Sequence, residues 1–290
     1  MSNMFDERHP LIKPRRVTFD WSGVPLHFIP GSPFATHWVN ALQLILPAGE
    51  RWFVHVFKQA LPLIEDKTLH AEAKGFMGQE AVHARAHSAV YTYLKSHGID
   101  ASREQRRIDF IFRALLSDRP VVPLRWIPAR RWLHFRLGVI AGVEHYTAVM
   151  GDWLMNADAL DRADADPVIL DLFRWHGAEE VEHRSVAFDV YQHLNGNYPR
   201  RVLTMLIAFA ALWFTFHRGT SQLLRHDPVL RTRAARDNTV VRFSYRTWTK
   251  TARQGLLPSP WFLARELPTY LSRSYHPSQT GSTPQALAYL

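Results

Sequence analysis

The chain has 290 residues and a mass of 33.6 kDa, enough for one large domain or two small ones around a self-sufficient core. With 47% apolar and 21% charged residues the composition is globular, which excludes wholesale disorder and collagen-like repeats. There is no Cys, hence no disulfide, zinc finger, iron–sulfur cluster or thiol nucleophile; any metal must be held by His, Asp and Glu, and the net charge of +9 permits an anionic partner without naming one.

Met1 to Pro10 is polar and charged, with no apolar stretch and small-residue cleavage site behind it, so no signal peptide is expected and the implied location is cytoplasmic. Residues 1–33 are Pro-rich and read as an irregular segment with at most a short strand or two. Beyond them almost every long segment has helical period. A helix is expected over about 35–60, with Pro47 marking a kink or the first turn of a second helix. The next runs over about 66–96, opened by Asp66, and a shorter one fits 102–116. Helices at about 129–156 and 167–194 follow, the latter with Asp166 as cap and Pro167 at its first position. Further helices are expected near 199–225, 228–254 and 260–274, and the tail at 276–290 reads as a loose end. The domain reading is thus an irregular segment at 1–33, a helical bundle at 34–198, C-terminal helices packing on it at 199–275, and the tail.

Val202 to Phe216 carries no charge. A bilayer span needs about 20 such residues, so a buried core or homodimer-interface helix is expected first. With Arg200, Arg201 and Arg218 bracketing it, a helix lying in a membrane interface is the alternative. The basic residues as a whole are spread along the chain rather than gathered in a stripe, so no nucleic-acid partner is expected.

Two segments, QEAVH at 79–83 and EEVEH at 179–183, each contain Glu-x-x-His: Glu80 with His83 and Glu180 with His183. Residues three apart share a helix face, so each pair can reach one point. Each pair is preceded by a helix bearing one Glu in an apolar stripe: Glu50 among Leu46, Phe53, Val54 and Phe57, and Glu144 among Leu137, Ile140, Ala141 and Ala148. A carboxylate in such surroundings is costly unless paired or bound to metal. The layout is two hairpins of the form Glu…Glu-x-x-His, the recipe for a dimetal carboxylate site inside a four-helix bundle. His176 lies four residues before Glu180 and extends the stripe. Four Glu and three His suit two first-row metal ions, iron or manganese. His87 is expected as an outer partner of the ligands or as a further ligand, and Glu179 as an outer partner or, like Glu182, on a solvated face or in a salt bridge to Arg184 or Arg85. Glu182 is expected on a solvated face or paired with Arg184 or Arg85, and His145 is expected to be structural. Phe53, Phe57 and Phe76 are the candidate apolar wall of a substrate path.

The segments PAGERWF, GQEAVHARAH, VEHYTA and WHGAEEVEHRSVAFDVY resemble the bacterial family of predicted metal-dependent hydrolases, which belongs to the ferritin-like superfamily; the likeness covers roughly 35–200. The set Glu50, Glu80, His83, Glu144, His176, Glu180 and His183 is also similar to that of the p-aminobenzoate N-oxygenases, di-iron enzymes with an additional His one turn before the last Glu, which His176 matches by position. The resemblance implies that these seven residues are the metal ligands of an all-α, ferritin-like bundle. The first functional expectation is an oxidase or oxygenase using O2, an electron donor and a small organic substrate. The second is hydrolysis by metal-activated water, and a non-catalytic iron-storage or nucleic-acid-binding role stands third.

Overall fold

The structure is a computed structural model that describes residues 12–121, 124–237 and 242–290. Among the described residues it is all-helical, without a strand. Its helices are α1 (Pro33–Ala60), α2 (Lys67–His87), α3 (Val90–Ser96), α4 (Ser102–Phe110), α5 (Ala129–Met155), α6 (Asp158–Arg162) and α7 (Pro167–His183). They continue with α8 (Val186–His193), α9 (Tyr198–His226), α10 (Pro228–Asp237), α11 (Tyr245–Arg253), α12 (Pro260–Leu271) and α13 (Thr283–Tyr289).

Polar caps set the starts. Asp66 accepts from the Leu69 amide at the head of α2, and Asp166 accepts from the amides of Val168 and Ile169 ahead of Pro167 at the head of α7. Asn197, Ser244, Ser259 and Ser282 open α9, α11, α12 and α13 in the same way. α1 runs unbroken through Pro47, which therefore lies inside one long helix rather than opening a second.

Several boundaries differ from expectation. The helix read over 66–96 breaks at Ser88–Ala89, and the one over 167–194 breaks at Arg184–Ser185, so each Glu-x-x-His lies near the end of its helix. Uniform apolar periodicity does not register a bend whose flanking turns both stay buried. The helix over 102–116 passes at Ile111 into a π-helical turn reaching Leu115. The region 228–254 is two helices, with 238–241 outside the described residues.

The four helices that carry the acidic and histidine residues pack mutually: α1 on α2, α5 on α7, and α1 and α2 across to α5 and α7. α5 and α7 approach closely at Gly151 and Gly177, where a Cβ on Gly177 would lie 2.7 Å from the Gly151 Cα. One face of α9 packs against α1 and α5, with Trp38 stacked on Phe216 at 4.1 Å. The opposite face exposes Leu203, Leu206, Ile207 and Phe214. By length and composition this helix passes for a membrane span, with a mean hydropathy of 1.4 over a window that is 39% buried inside the protein. The core role expected of 202–216 therefore holds for one face; the other is where a membrane or homodimer contact would lie.

The tail is not loose. α13 packs on α7, Ala286 is fully buried, and Arg184 ties the segment down by donating to the Pro277 carbonyl (3.1 Å) and the Thr283 hydroxyl (2.8 Å). The described part of the N-terminal segment is a strap over α2 rather than strand. A Cβ on Gly75 would collide with the Ile12 carbonyl, and one on Gly78 would lie 3.0 Å from the Pro14 ring.

Candidate metal centre

All seven residues singled out in the sequence are buried and converge between α1, α2, α5 and α7. They form two groups. Glu50, His83 and His176 bring one ligand atom each within 4.8 Å of one another, and Glu80, Glu144, Glu180 and His183 do the same. Helical register does this: His176, Glu180 and His183 stand at offsets of four and three on α7, and Glu80 and His83 at three on α2. The groups meet at two carboxylates. Glu180 Oε1 is 2.7 Å from His176 Nε2 and 3.4 Å from His83 Nδ1, while its Oε2 is 3.4 Å from His183 Nε2. Glu80 Oε1 lies 3.7 Å from His83 Nδ1 and 3.4 Å from His183 Nε2. Glu50 and Glu144 sit at the two outer ends, 3.8 Å from His176 Nε2 and 3.1 Å from His183 Nε2 respectively.

Each imidazole is held from behind. His83 donates through Nε2 to Glu179 (2.8 Å), whose other oxygen accepts from Arg15 (2.8 Å). His183 donates through Nδ1 to Gln79 Oε1 (2.9 Å), and the Gln79 amide donates to Glu182 (2.7 Å) and the Lys13 carbonyl (3.2 Å). Behind His176 runs a chain in which Gln43 donates to Asn40 (3.3 Å) and accepts from His87 Nδ1 (3.4 Å), leaving His87 Nε2 to accept from His176 Nδ1 (2.6 Å). These contacts occupy the outer ring nitrogens and turn His83 Nδ1, His176 Nε2 and His183 Nε2 toward the carboxylates, His176 Nε2 donating to Glu180 Oε1 at 2.7 Å; it is the ring orientation that histidine metal ligands need. Phe76 seals one side with its ring edge-on to His183 at 4.8 Å.

The electrostatics are those of carboxylates crowded out of water. Burial, reinforced by Glu80, pushes the Glu50 carboxyl well above its ordinary range, and burial together with Glu180 raises Glu144 to about 8. Burial opposes charge on His83 and His183 too, yet the surrounding carboxylates carry both well above the usual imidazole value. Glu180 is held well below the carboxylate range by His183 and His176 in spite of its burial. Both oxygens of Glu50 and of Glu80, with Glu144 Oε2, Glu180 Oε2, His83 Nδ1 and His183 Nε2, are buried without a hydrogen-bond partner. Unpaired buried groups are expensive, and eight of them gather on six of the seven converging residues. The donor set therefore fits metal ions: hard oxygens and borderline imidazoles, pre-oriented, with most of their inward atoms unused.

A family model described as predicted metal-dependent hydrolase matches residues 13–281. The chain belongs to that family. No curated protein and no solved structure matches it. The match spans α1 to α12, well beyond the 35–200 over which the motifs resemble the family. It agrees with a metal-binding role for the Glu/His groups, and among the functions weighed from sequence it favours hydrolysis over oxidation.

Other expectations for this metal-dependent hydrolase family member resolve as follows. His87 and Glu179 stand behind His176 and His83, so Glu179 is not on a solvated face. Glu182 is neither solvated nor paired with Arg184 or Arg85; it takes Arg15 at 2.7 Å and the Gln79 amide. His145 is structural, bonded to the Tyr275 hydroxyl at 2.7 Å and to the Glu266 carbonyl. Phe53, Phe57 and Phe76 do not line a substrate path. Phe57 and Phe76 pack on each other at 4.5 Å behind His183, whereas the cavity that reaches the centre opens at His176 and Glu180 and is walled by Leu42, Leu46, Met150 and Phe173. Apolar side chains at helical spacing look the same whether they face a void or a neighbouring helix, so the sequence does not separate these sets.

Arg15, Gln79 and Gln43 carry contacts that the sequence reading did not assign. Arg15 lies in a segment without periodicity, and its partners are 164 and 167 residues away. Gln79 alone left a signal, as the neighbour of Glu80 in QEAVH. A further cluster of His27, His37 and Asp227 is compact, with both Nε2 atoms on Asp227 Oδ2 at 2.6 and 2.8 Å. It lacks the outer contacts of the main centre: His37 Nδ1 has no partner, and Asp227 Oδ1 caps α10 through the Leu230 amide. It reads as a clamp joining the N-terminal strap, α1 and the α9–α10 corner.

Proposed function

We propose that this protein is a hydrolase whose centre holds two divalent metal ions, Glu50, His83 and His176 serving one, Glu144 and His183 the other, with Glu80 and Glu180 facing both. The observation that carries the proposal is the set of inward, unpaired donor atoms in a chain of the metal-dependent hydrolase family. Four carboxylates bring a charge that two divalent cations balance, which removes the cost of burying them together. When bound, the ions supply Lewis acidity to a scissile carbonyl or phosphoryl group and lower the pKa of water toward neutrality.

The chain's own residues do the rest. Glu179, Gln79 and His87 hold the three imidazoles in register. Glu50 and Glu144, with their raised affinity for protons, release them as cations enter, which couples occupancy to pH. Phe76 and the helix walls keep bulk water from the His183 side. A small-molecule substrate approaches from the cavity at His176 and Glu180.

The test is turnover of neutral esters and amides by Zn(II)- or Mn(II)-loaded protein under nitrogen. Activity should vanish with a chelator, return with the metal, and be lost in His183→Ala and Glu80→Gln. One observation favours a second reading: every donor is Glu or His on a helix interior, with no Asp and no exposed loop among them, a mixture suited to iron and O2 chemistry. If the Fe(II)-loaded protein consumed O2 with a reductant while the Zn(II) form turned over nothing, hydrolysis would be wrong and oxidation right.

A further inference from the structure

The cavity at His176 and Glu180 has a definite course. Its wall residues on α1 are Leu46, Leu42 and Val39, which follow the helix away from Glu50; on α7, Phe173 and Ile169 lead away from Glu180. On α5, Met150 and Leu154 lead away from Glu144. On α1 and α5 the lining spans seven or eight residues, from Leu46 to Trp38 and from Thr147 to Leu154, so at 1.5 Å per residue the void runs about 11 Å along the helix axes. Its volume is about 90 Å³, room for roughly six to nine water-sized groups in single file, which fits that length.

The wall is almost wholly apolar. Thr147 donates its hydroxyl to the Glu144 carbonyl, and Asp166 takes the α7 cap through its Oδ1. The indole N–H of Trp38 is a buried donor without a partner. No Arg or Lys lines the void among the described residues. A charged chain would enter without a counter-ion, against a steep desolvation cost, whereas an alkyl or aryl chain gains from leaving water.

We propose that this void is the substrate channel, and that it takes an uncharged, unbranched apolar chain of about six to nine atoms lying parallel to α1, α5 and α7, with the hydrolysable ester or amide group at the His176–Glu180 end. This rests on the hydrolase reading for the reaction, though not for the binding. The wall residues thereby set chain length, and half-buried Ala165, eleven residues before His176, lies at the end remote from the centre.

The test is calorimetric binding of methyl esters of straight-chain acids, from four to twelve carbons, to the full-length protein in EDTA and again with Zn(II). Affinity should rise about fourfold per methylene up to about eight carbons and then level off, since each buried methylene contributes a fixed increment. Ala165→Phe should bring that plateau forward by one or two methylenes while the butanoate ester binds within twofold of the parent. Leu42→Ala, which widens the channel without adding bulk, should strengthen binding of the longest esters or extend the plateau. Affinity that ignores chain length, or an Ala165→Phe effect equal on short and long esters, overturns the channel. Chain-length-dependent binding without hydrolysis leaves the channel standing and sinks the hydrolase reading; hydrolysis of short esters without the chain-length trend does the reverse.

Discussion

Glu179 provides the sharpest test of the centre, because it touches His83 without being among the converging donors. In Glu179→Gln the side-chain oxygen still accepts from His83 Nε2, now 2.8 Å away, but without charge. The new amide N–H groups face the Arg15 guanidinium, which is already held by Glu182 at 2.7 and 3.0 Å and moves fully onto it. The loss is therefore confined to exchanging a charged acceptor for a neutral one behind His83, about 1–1.5 kcal/mol, or about tenfold in metal affinity. Glu179→Ala removes the acceptor altogether, leaving a buried imidazole N–H unpaired, and should approach a hundredfold, the upper end for lost outer contacts at metal sites. Competition of each variant against a chromophoric chelator for Zn(II) reads both numbers, with a thermal scan in EDTA to show that each still folds. Parent-like affinity in both variants, or an equal loss in the two, would refute the role given to this carboxylate.

Four further outcomes are expected. Glu50→Gln should bind less Zn(II) yet raise the melting temperature in EDTA by about 2–4 °C, because it removes a buried, unpaired carboxylate crowded by others; a fall in EDTA would contradict the electrostatic account. The chelator-treated protein should lose stability as pH rises from about 7 to 9, above the range in which the buried histidines with lowered values, His37, His87, His145 and His176, still favour the folded state as pH climbs. Glu50 and Glu144 bind protons more tightly folded than unfolded, as do His83 and His183, so the contribution present at low pH is withdrawn as pH climbs through the folded values; Zn(II) should flatten the profile in melting scans. Gly177→Ala should lower the urea midpoint by about 1–3 kcal/mol of stability, since its Cβ meets the Gly151 backbone and outweighs the helix-propensity gain of about 1 kcal/mol. Asp227→Ala should cost about 2–4 kcal/mol through two imidazole contacts and the α10 cap; its Zn(II) stoichiometry should equal the parent's, and a lower one would make that clamp a metal site.

The all-α fold and the seven inward donors were readable in the chain because both rest on local rules: apolar period, polar caps, and the three- and four-residue offsets that place Glu50, Glu80, His83, Glu144, His176, Glu180 and His183 on interior faces. Pairing them needs only the assumption that expensive buried carboxylates seek one another or a cation. Three things had no local signature. The breaks after His87 and His183 keep the same burial pattern on both sides. Arg15 reaches Glu179 and Glu182 from an aperiodic strap, and α13 docks through Arg184; both join segments far apart in sequence. The course of the channel depends on which apolar face meets a helix and which meets a void, and that difference arises only when α1, α5 and α7 have been set side by side.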